Sequence, residues 1–359
     1  MKRTTLLLTF TAAMVMPLVM VAMALPVFAG GQDDDEDNDN ESANGGSTRN
    51  GQIVFRRYFN AEQTKGALFT MNPDGSHIRQ ITHLPKGWLD DGPAWSPDGE
   101  RIAFHRQSTD EITSRIMLLN PETGNTRQVT RSVPSSFDPA FSPHGDSLSF
   151  FRIVNVDKAC CEILGIWIIG TDGSDPHQVT NVDPKLPAGF EDWGSAFSPD
   201  GERLVFDRLR NADERHAIFV QPIDSPGSPQ DAHRITPWKL NCQDHPEYSP
   251  DGKLVLFRCL PKGEEGPSNL YWVHPDGTGL HQLTHAPAAK QYLGSSFSPS
   301  FHKGEGWITV GRTGGYGKEG NADVFRILIE EGKVVRKVNL TKSEKWDSAP
   351  GWGTHPPVG

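Results

Sequence analysis

A short motif, an aromatic residue followed by Ser-Pro and usually Asp-Gly, recurs along the chain and constrains its fold more than any other feature. Full copies lie at 95–99, 141–145, 197–201 and 248–252, a shortened copy lies at 297–300, and a trace lies at 350–353. Proline fixes φ at the second position of a turn, and glycine admits the positive φ of a later position. Each copy therefore predicts a β-turn between two strands.

A second motif, a polar residue, an aliphatic residue and a threonine, marks the far end of every repeat. Its copies lie at 80–82, 128–130, 178–180, 234–236, 282–284 and 339–341. A third apolar strand stands between the two motifs, as at 116–118 or 270–273. Each repeat is thus predicted to be a four-stranded antiparallel meander.

The aromatic residues of successive first motifs are 46, 56, 51, 49 and 55 residues apart. Four strands at this repeat length are typical of a β-propeller blade, which must stack on its neighbours to bury both faces. We expect an all-β, six-bladed propeller over 51–359. Its first repeat lacks an aromatic strand, which the C-terminal strand should supply by joining the first blade.

The first 50 residues differ in composition from the repeats. Lys2 and Arg3 precede an uncharged apolar run, and small residues follow it, which is the pattern of a signal peptide over 1–29 with cleavage after Ala24 or Ala29. Residues 30–50 carry seven acids and no large apolar side chain, so we expect a disordered acidic linker. The protein should be periplasmic or secreted, with no membrane insertion after cleavage. An uncleaved membrane anchor is the alternative.

The turn motif followed by a strand such as Ile102-Ala103-Phe104 resembles the WD-type repeat of the TolB-like propellers over 51–353. The resemblance implies a propeller that serves as a binding or scaffold module. TolB itself has an additional N-terminal α/β domain, which the 21 residues of the linker cannot supply. The role of TolB in the Tol system is therefore not carried over.

Four cysteines are present, at 160, 161, 242 and 259. If Ser249 and Gly252 end a hairpin turn, Cys242 and Cys259 face each other across the two strands, and an exported protein can oxidise them. We expect a disulfide between them. For the adjacent Cys160 and Cys161, free thiols, intermolecular bonds and a strained vicinal disulfide all remain open.

Acids and arginines recur at fixed places in the repeats. The acids precede or begin each first strand and the arginines end each second strand: Asp91, Asp138, Asp192, Asp244 and Asp347, with Arg57, Arg106, Arg152, Arg208 and Arg312. We expect them to meet at one rim of the axial face and to bind a ligand or partner. Structural ion pairs between carboxylates and guanidinium groups are the alternative.

The sequence favours a binding module without a cofactor over an enzyme. It contains no Gly-x-Ser-x-Gly, His-Glu-x-x-His or phosphate-loop motif. Expected partners are an envelope or extracellular protein or peptide, or a saccharide; the net charge of -10 argues against nucleic acid. One enzymatic alternative is a metal-dependent lyase similar to oligogalacturonate lyases, with a divalent metal in the axial channel held by His83, His105, His245 and His285.

Overall fold

A computed structural model describes residues 50–109, 113–131, 134–157, 160–180, 189–224, 231–263, 266–287, 290–313 and 321–358. For residues 154–157 and 160–164 it describes the backbone only. The predicted signal peptide and all of the predicted linker except Asn50 lie outside the described residues.

The described residues form 24 strands and one short 3-10 helix, Trp238–Leu240. The first two sequence repeats contain β1 (Ile53–Tyr58), β2 (Gly66–Met71), β3 (Arg79–Gln80), β4 (Trp88–Trp95), β5 (Ile102–Ser108), β6 (Ser114–Leu119) and β7 (Thr126–Gln128). The third and fourth contain β8 (Ser135–Phe141), β9 (Ser147–Asp157), β10 (Cys160–Gly170), β11 (His177–Gln178), β12 (Phe190–Phe197), β13 (Arg203–Arg210), β14 (Arg215–Pro222) and β15 (His233–Arg234). The fifth and sixth contain β16 (Cys242–Tyr248), β17 (Val255–Cys259), β18 (Asn269–Val273), β19 (His281–Gln282), β20 (Tyr292–Phe297), β21 (Gly306–Thr313), β22 (Ala322–Glu330) and β23 (Lys333–Asn339), and β24 (Trp346–Trp352) ends the chain.

The first sequence motif forms the turn between the first and second strands of a repeat. In the turn at 95–99 the amide of Gly99 donates to the carbonyl of Ser96 at 2.9 Å, and Gly99 has φ of 74°. The Ser96 hydroxyl accepts the amide of Arg101 at 2.9 Å. Serine therefore closes the turn from inside, and glycine supplies the left-handed backbone that other residues adopt only at a cost.

The threonine of the second motif fastens the outer strand to the third strand. Its hydroxyl accepts a third-strand amide at 2.8 to 3.0 Å in every repeat, from Leu68, Ile116, Ile166, Ile218, Leu270 and Val324. Outer strands β3, β7, β11, β15 and β19 have only two or three residues. The threonine hydrogen bond therefore adds to the two or three ladder pairs that such short strands provide.

The all-β architecture was predicted correctly, but the prediction of six separate four-stranded blades was wrong. Four sheets have four strands each: β4–β7, β8–β11, β12–β15 and β16–β19. The remaining eight strands form one sheet in the order β20-β21-β22-β24-β1-β2-β3, with β23 on β22. The physical reason is one parallel pairing, between Ala322 at the start of β22 and Trp346 at the start of β24. It joins strands of the sixth and first repeats into a single hydrogen-bonded sheet.

The C-terminal strand pairs with the N-terminal one. β24 runs antiparallel to β1, with Ile53 opposite Trp352 and Arg57 opposite Asp347. The amide of Gly51 donates to the carbonyl of Gly353 at 2.9 Å. The Trp352 indole donates to the carbonyl of Gly51, also at 2.9 Å. The two ends of the described chain are therefore held together by both backbone and side-chain bonds.

Six strands neighbour one another in a closed circuit, in the order β24, β4, β8, β12, β16, β20 and back to β24. We call them the axial strands. Apolar clusters fill the spaces between consecutive repeats; Leu68 and Phe104, for example, are fully buried in the cluster between the first and second. Burying side chains of this size stabilises the fold by ~1.5–3 kcal/mol each. The core is thus divided into layers that radiate from the axis.

Candidate functional site

One cross-strand position recurs in all six repeats, where an axial strand faces the second strand of its repeat. The facing pairs are Asp347 and Arg57, Asp90 and Arg106, Ser136 and Arg152, Asp192 and Arg208, Cys242 and Cys259, and Tyr292 and Arg312. Two of these pairs consist entirely of predicted rim residues: Arg57 with Asp347, and Arg208 with Asp192.

Three of these pairs are bidentate forks between a guanidinium and a carboxylate. Arg208 donates to both oxygens of Asp192 at 2.6 and 2.8 Å, and both side chains are almost completely buried. Arg57 binds Asp347 and Arg106 binds Asp90 in the same way. Burial raises the pKa of Asp90 and Asp347 in spite of these arginines. Such enclosed forks hold two strands in register and offer little surface to a ligand.

Sequence reasoning did not single out Asp90. The adjacent Asp91 was expected near the recurring arginines instead, because the sequence does not show which of two neighbouring acids faces the second strand. Arg152 and Arg312 take a different arrangement, since serine and tyrosine face them. The Arg152 guanidinium lies 4.2 Å from the centre of the Trp167 ring, and that of Arg312 lies 5.7 Å from the Phe325 ring.

A disulfide joins Cys242 and Cys259, as predicted. The two residues are directly opposite each other on β16 and β17, at the position that the forks occupy in three other repeats. A covalent bond thus takes the place of an ion pair in the fifth repeat. The side chains of Cys160 and Cys161 lie outside the described part of the structure.

A β-bulge follows each of these pairs, and it occurs in all six axial strands. Two residues after the pair, one residue has positive φ: Gly92 (58°), Asp138 (51°), Gly194 (26°), Asp244 (76°), Gly294 (70°) and Ala349 (50°). At Gly92 a Cβ would lie 2.6 Å from the Asp138 carboxylate, so a larger residue there would force that side chain to move. Bulges re-aim side chains, and these six are arranged around the axis.

The bulge of β16 is one residue longer than the others. From the bulge residue to the aromatic residue of the turn there are three steps in five axial strands, as from Gly92 to Trp95, and four from Asp244 to Tyr248. The extra residue is His245, which also has positive φ, at 48°. Between Gln243 and Glu247 the register with β17 shifts accordingly. The insertion places an imidazole ring where the other axial strands have none.

His245 reaches from the fifth repeat to the third. Its Nε2 lies 3.6 Å from Oδ2 of Asp138 and 3.9 Å from Oδ1 of Asp244. On the other side of Asp138, Nδ1 of His105 lies 3.3 Å from Oδ1 and accepts the Asp138 amide. His105 is buried, whereas 47% of the His245 side chain is exposed. Asp138 is therefore held between two histidines, of which only His245 is open to solvent.

Two arginines flank this group. Arg56 pairs with Asp91 of the neighbouring repeat and donates to the Ser348 hydroxyl at 2.5 Å. Nε of Arg258 lies 3.1 Å from Oδ2 of Asp244. We call Asp91, Asp138, Asp244, His105, His245, Arg56 and Arg258 the axial cluster. Three of the predicted acids, Asp91, Asp138 and Asp244, belong to it, together with two of the predicted histidines.

The charges of the axial cluster favour ionised carboxylates. Burial would raise the pKa of Asp138 and Asp244, but His245 and His105 around the first, and Arg258 and His245 around the second, outweigh it and lower both pKa values. Burial opposes the charged form of His245, yet Asp138 and Asp244 raise its pKa above the ordinary value. The group can therefore accept a cation, and a cationic ligand would compete with the His245 ring.

The other two predicted histidines lie elsewhere. His83 and His285 are exposed and directly follow the threonines of the second motif. Within the described residues no three His, Cys, Asp or Glu side chains are grouped closely enough to hold a metal ion. Of the four histidines proposed for a metal, the structure brings together only His105 and His245, on the two sides of one carboxylate.

Glu247 is a site residue that sequence reasoning missed. It precedes the aromatic residue of the turn, and the residues at the same position of the other axial strands are Ala94, Ala140, Ala196, Ser296 and Gly351. Alignment of the six repeats on their aromatic residues would have identified it, because it is the one charged residue among these six. Burial raises its pKa to about 8.

No protein-family model matches the chain. An uncharacterized protein of Agrobacterium fabrum is 24% identical over 207 residues, which cover 58% of this chain and 61% of that protein. The Tol-Pal system protein TolB of Rhizorhabdus wittichii is 36% identical over 73 residues, 20% of this chain and 16% of TolB. The chain thus spans less than two thirds of the length of these curated relatives.

Solved structures give a broader likeness. TolB of Acinetobacter baumannii superposes with a TM-score of 0.59 at 18% identity, covering 86% of this chain and 67% of TolB. A TolB candidate from Agrobacterium tumefaciens gives 0.55 at 19% identity, with 85% and 93% covered. An oligogalacturonate lyase in complex with manganese gives 0.50 at 13% identity, with 74% and 72% covered. In fold, the chain is therefore a TolB-like β-propeller, distinct from TolB itself.

Proposed function

We propose that the chain is an exported binding module that holds a protein or peptide of the cell envelope or its surroundings, and that the axial cluster is the point of contact. The observation that carries this proposal is the one-residue insertion in β16, which brings His245 to 3.6 Å from Asp138 of the third repeat. A structural frame does not need this insertion, because the other five axial strands pack without it.

The chemistry of the axial cluster favours a cationic group. Asp138 and Asp244 are 11% and 20% exposed, so a ligand can reach both carboxylates. An ammonium or guanidinium group that took the place of the His245 ring would form charge-assisted hydrogen bonds with them. A basic side chain or amino terminus of a protein partner fits this description. Saccharide hydroxyls are a second class that carboxylates can bind.

Two features support export. The first 29 residues have the charge and hydropathy pattern of a signal peptide. The Cys242–Cys259 disulfide requires an oxidising compartment, such as the periplasm or the outside of the cell. Separately, no helix in the described ranges is long and apolar enough to cross a membrane.

Affinity capture from envelope extract tests the proposal. The wild-type protein is compared with a variant carrying Asp138→Asn and Asp244→Asn, and with Glu202→Gln, which alters an exposed acid that directly follows the turn at 197–201. We expect a partner that the wild type and Glu202→Gln retain and the double variant loses, with cross-links to β16. Equal retention by all three folded proteins would contradict the proposal.

The metal-dependent lyase is a second proposed function, and the fold similarity to an oligogalacturonate lyase in complex with manganese supports it. A metal would have to draw together His105, His245 and Asp138, because these described side chains are not grouped closely enough to hold an ion. Two imidazoles and one carboxylate are ligand types that divalent transition metals accept. Metal analysis of the purified protein and an assay for cleavage of oligogalacturonate test it. Stoichiometric metal that is lost in a His245→Ala variant would favour the lyase, and metal-free protein that captures a partner would favour the binding module.

A further inference from the structure

In the described part of the chain, Glu247 has no basic side chain beside it, whereas most carboxylates of the axial strands pair with an arginine. Asp90, Asp91, Asp192, Asp244 and Asp347 each pair with an arginine. Among the described residues, the groups that act on the Glu247 carboxyl are the Ser296 hydroxyl, which donates to Oε1 at 3.3 Å, and the Phe297 amide. Both are neutral donors from β20.

Hydrogen bonds across three axial strands place Glu247 at the axis. The Trp352 amide of β24 donates to the Ser296 hydroxyl of β20 at 3.2 Å, and that hydroxyl donates to Glu247 of β16. Because β16, β20 and β24 are consecutive in the axial circuit, the chain of bonds follows the wall around the axis. The Glu247 side chain is only partly buried, so solvent reaches part of it.

Small residues surround Glu247 at the same level of the axis. The equivalent positions of the other five axial strands carry three alanines, one serine and one glycine. None of these side chains is long enough to fill the centre or carries a charge. The carboxyl therefore faces a space that a slender group can enter, and no cation from these positions can neutralise it.

We propose that Glu247 binds a primary ammonium group of a ligand that extends along the axis from the axial cluster. This inference rests on the proposed function and specifies it: the ligand would carry two cationic groups, one for Asp138 and Asp244 and one for Glu247. Glu247 is the third residue after Asp244, and at ~3.3 Å of rise per residue the two acids are at most ~10 Å apart along the strand. An extended lysine-containing segment or a diamine can span this distance.

Proton release distinguishes this site from the axial cluster. With a pKa of about 8, Glu247 is mostly protonated at pH 7, so an arriving ammonium group forms an ion pair only after the carboxyl gives its proton to the buffer. Asp138 and Asp244, whose pKa values are lowered, are ionised already and release none. Binding that uses Glu247 should therefore release about one proton for each ligand bound at pH 7.

The experiment is titration calorimetry of the full-length mature protein with 1,6-diaminohexane and with 1-aminohexane, in buffers of different ionisation enthalpy. For the wild type we expect the diamine to bind about tenfold tighter than the monoamine and to release about one proton. In Glu247→Gln both ligands should bind alike and without proton release. Thermal unfolding at pH 7 checks that the variant is folded.

Three results would overturn the proposal: no binding of the diamine by the wild type, equal affinity for the two amines, or the same affinity and proton release in Glu247→Gln. None of them decides the proposed function, because partner capture by the Asp138 and Asp244 carboxylates is measured separately. Conversely, the diamine can be titrated into the variant carrying Asp138→Asn and Asp244→Asn. Binding with proton release in that variant would support the ammonium site at Glu247, whether or not the variant captures a partner.

Discussion

The axial strands of the second and fifth repeats, β4 and β16, have the same frame and different chemistry. Both begin with a cross-strand pair, continue into a bulge and end at the aromatic residue of a turn. In β4 the pair is the Asp90–Arg106 fork, the bulge residue is Gly92, and alanine precedes the aromatic residue. In β16 a disulfide, an inserted histidine and a glutamate stand at the corresponding places.

This difference separates what the fold needs from what a ligand would need. The fold needs a strong link between two strands, a bulge, and a small residue at the axis. In β4 these are the Asp90–Arg106 fork, Gly92 and Ala94. β16 keeps the link in covalent form and adds ionisable groups at the bulge and at the axis. We infer that the cross-strand pairs shared by several repeats hold the frame, and that the ionisable groups at the bulges and at the axis serve binding.

The largest expected effect concerns the forks. Asp192→Ala leaves the Arg208 guanidinium buried without its carboxylate, which should lower the free energy of unfolding by ~3–5 kcal/mol in urea denaturation. Asp213→Ala is the matched control, because it removes an exposed ion pair with Arg210 and should cost less than ~1 kcal/mol. Similar losses in the two variants would mean that the forks do not hold the frame.

The next effect tests whether the disulfide of β16 is the equivalent of a fork. Replacing both Cys242 and Cys259 with serine should cost ~2–4 kcal/mol, since the unfolded chain gains freedom. The pair Cys242→Asp and Cys259→Arg installs the fork of β4 at the same position and should recover part of this loss in the same urea assay. If this variant is no more stable than the serine variant, the two links are not interchangeable.

The third and smallest effect is the pH dependence that Glu247 adds. Its pKa rises from 4.5 in the unfolded chain to about 8 in the fold, so the folded state favours the protonated acid. The contribution of Glu247 to the free energy of unfolding is fully present below pH 4.5 and is lost as the pH rises through 8. At pH 9 the wild type should be less stable than Glu247→Gln by ~2 kcal/mol, a value reduced because water reaches part of the side chain.

Thermal unfolding from pH 4.5 to pH 9 measures this effect. Glu247→Gln should match the wild type at the acidic end and exceed it at the basic end. Glu202→Gln, at an exposed position, serves as the control and should follow the wild type throughout. A constant difference between Glu247→Gln and the wild type at all pH values would show that Glu247 is not buried as a neutral acid.

The repeats themselves could be predicted from the sequence, because each motif has a local physical cause: proline and glycine for the turn, threonine for the outer strand. The disulfide followed from hairpin register alone. The choice between Asp90 and Asp91 could not be made, because a bulge lies between these acids and the turn motif, so counting back from the turn does not give the face on which each acid lies. The eight-stranded sheet depends on one long-range pairing, of Ala322 with Trp346, which has no motif.

His245 illustrates the same limit. The histidine is visible in the sequence, but its reach to Asp138 depends on an insertion that appears only when the six bulges are compared. Asp138 and Asp244 were both expected at one rim, and the structure brings them to the two sides of one imidazole ring. Alignment of the repeats could have identified Glu247. It could not have shown that no cation lies beside the Glu247 carboxyl.

Deletion of His245 tests the central claim most directly, because it gives β16 the bulge length of the other five axial strands without removing a carboxylate. Retention of the envelope partner by the deletion variant and by the wild type is measured on immobilised protein, with cooperative thermal unfolding as proof of folding. The binding-module account predicts a folded variant whose retention falls at least tenfold, because the shorter bulge re-aims the Asp244 carboxylate away from Asp138, and this loss outweighs the removal of the competing imidazole ring. A folded variant that retains the partner as well as the wild type does would contradict it.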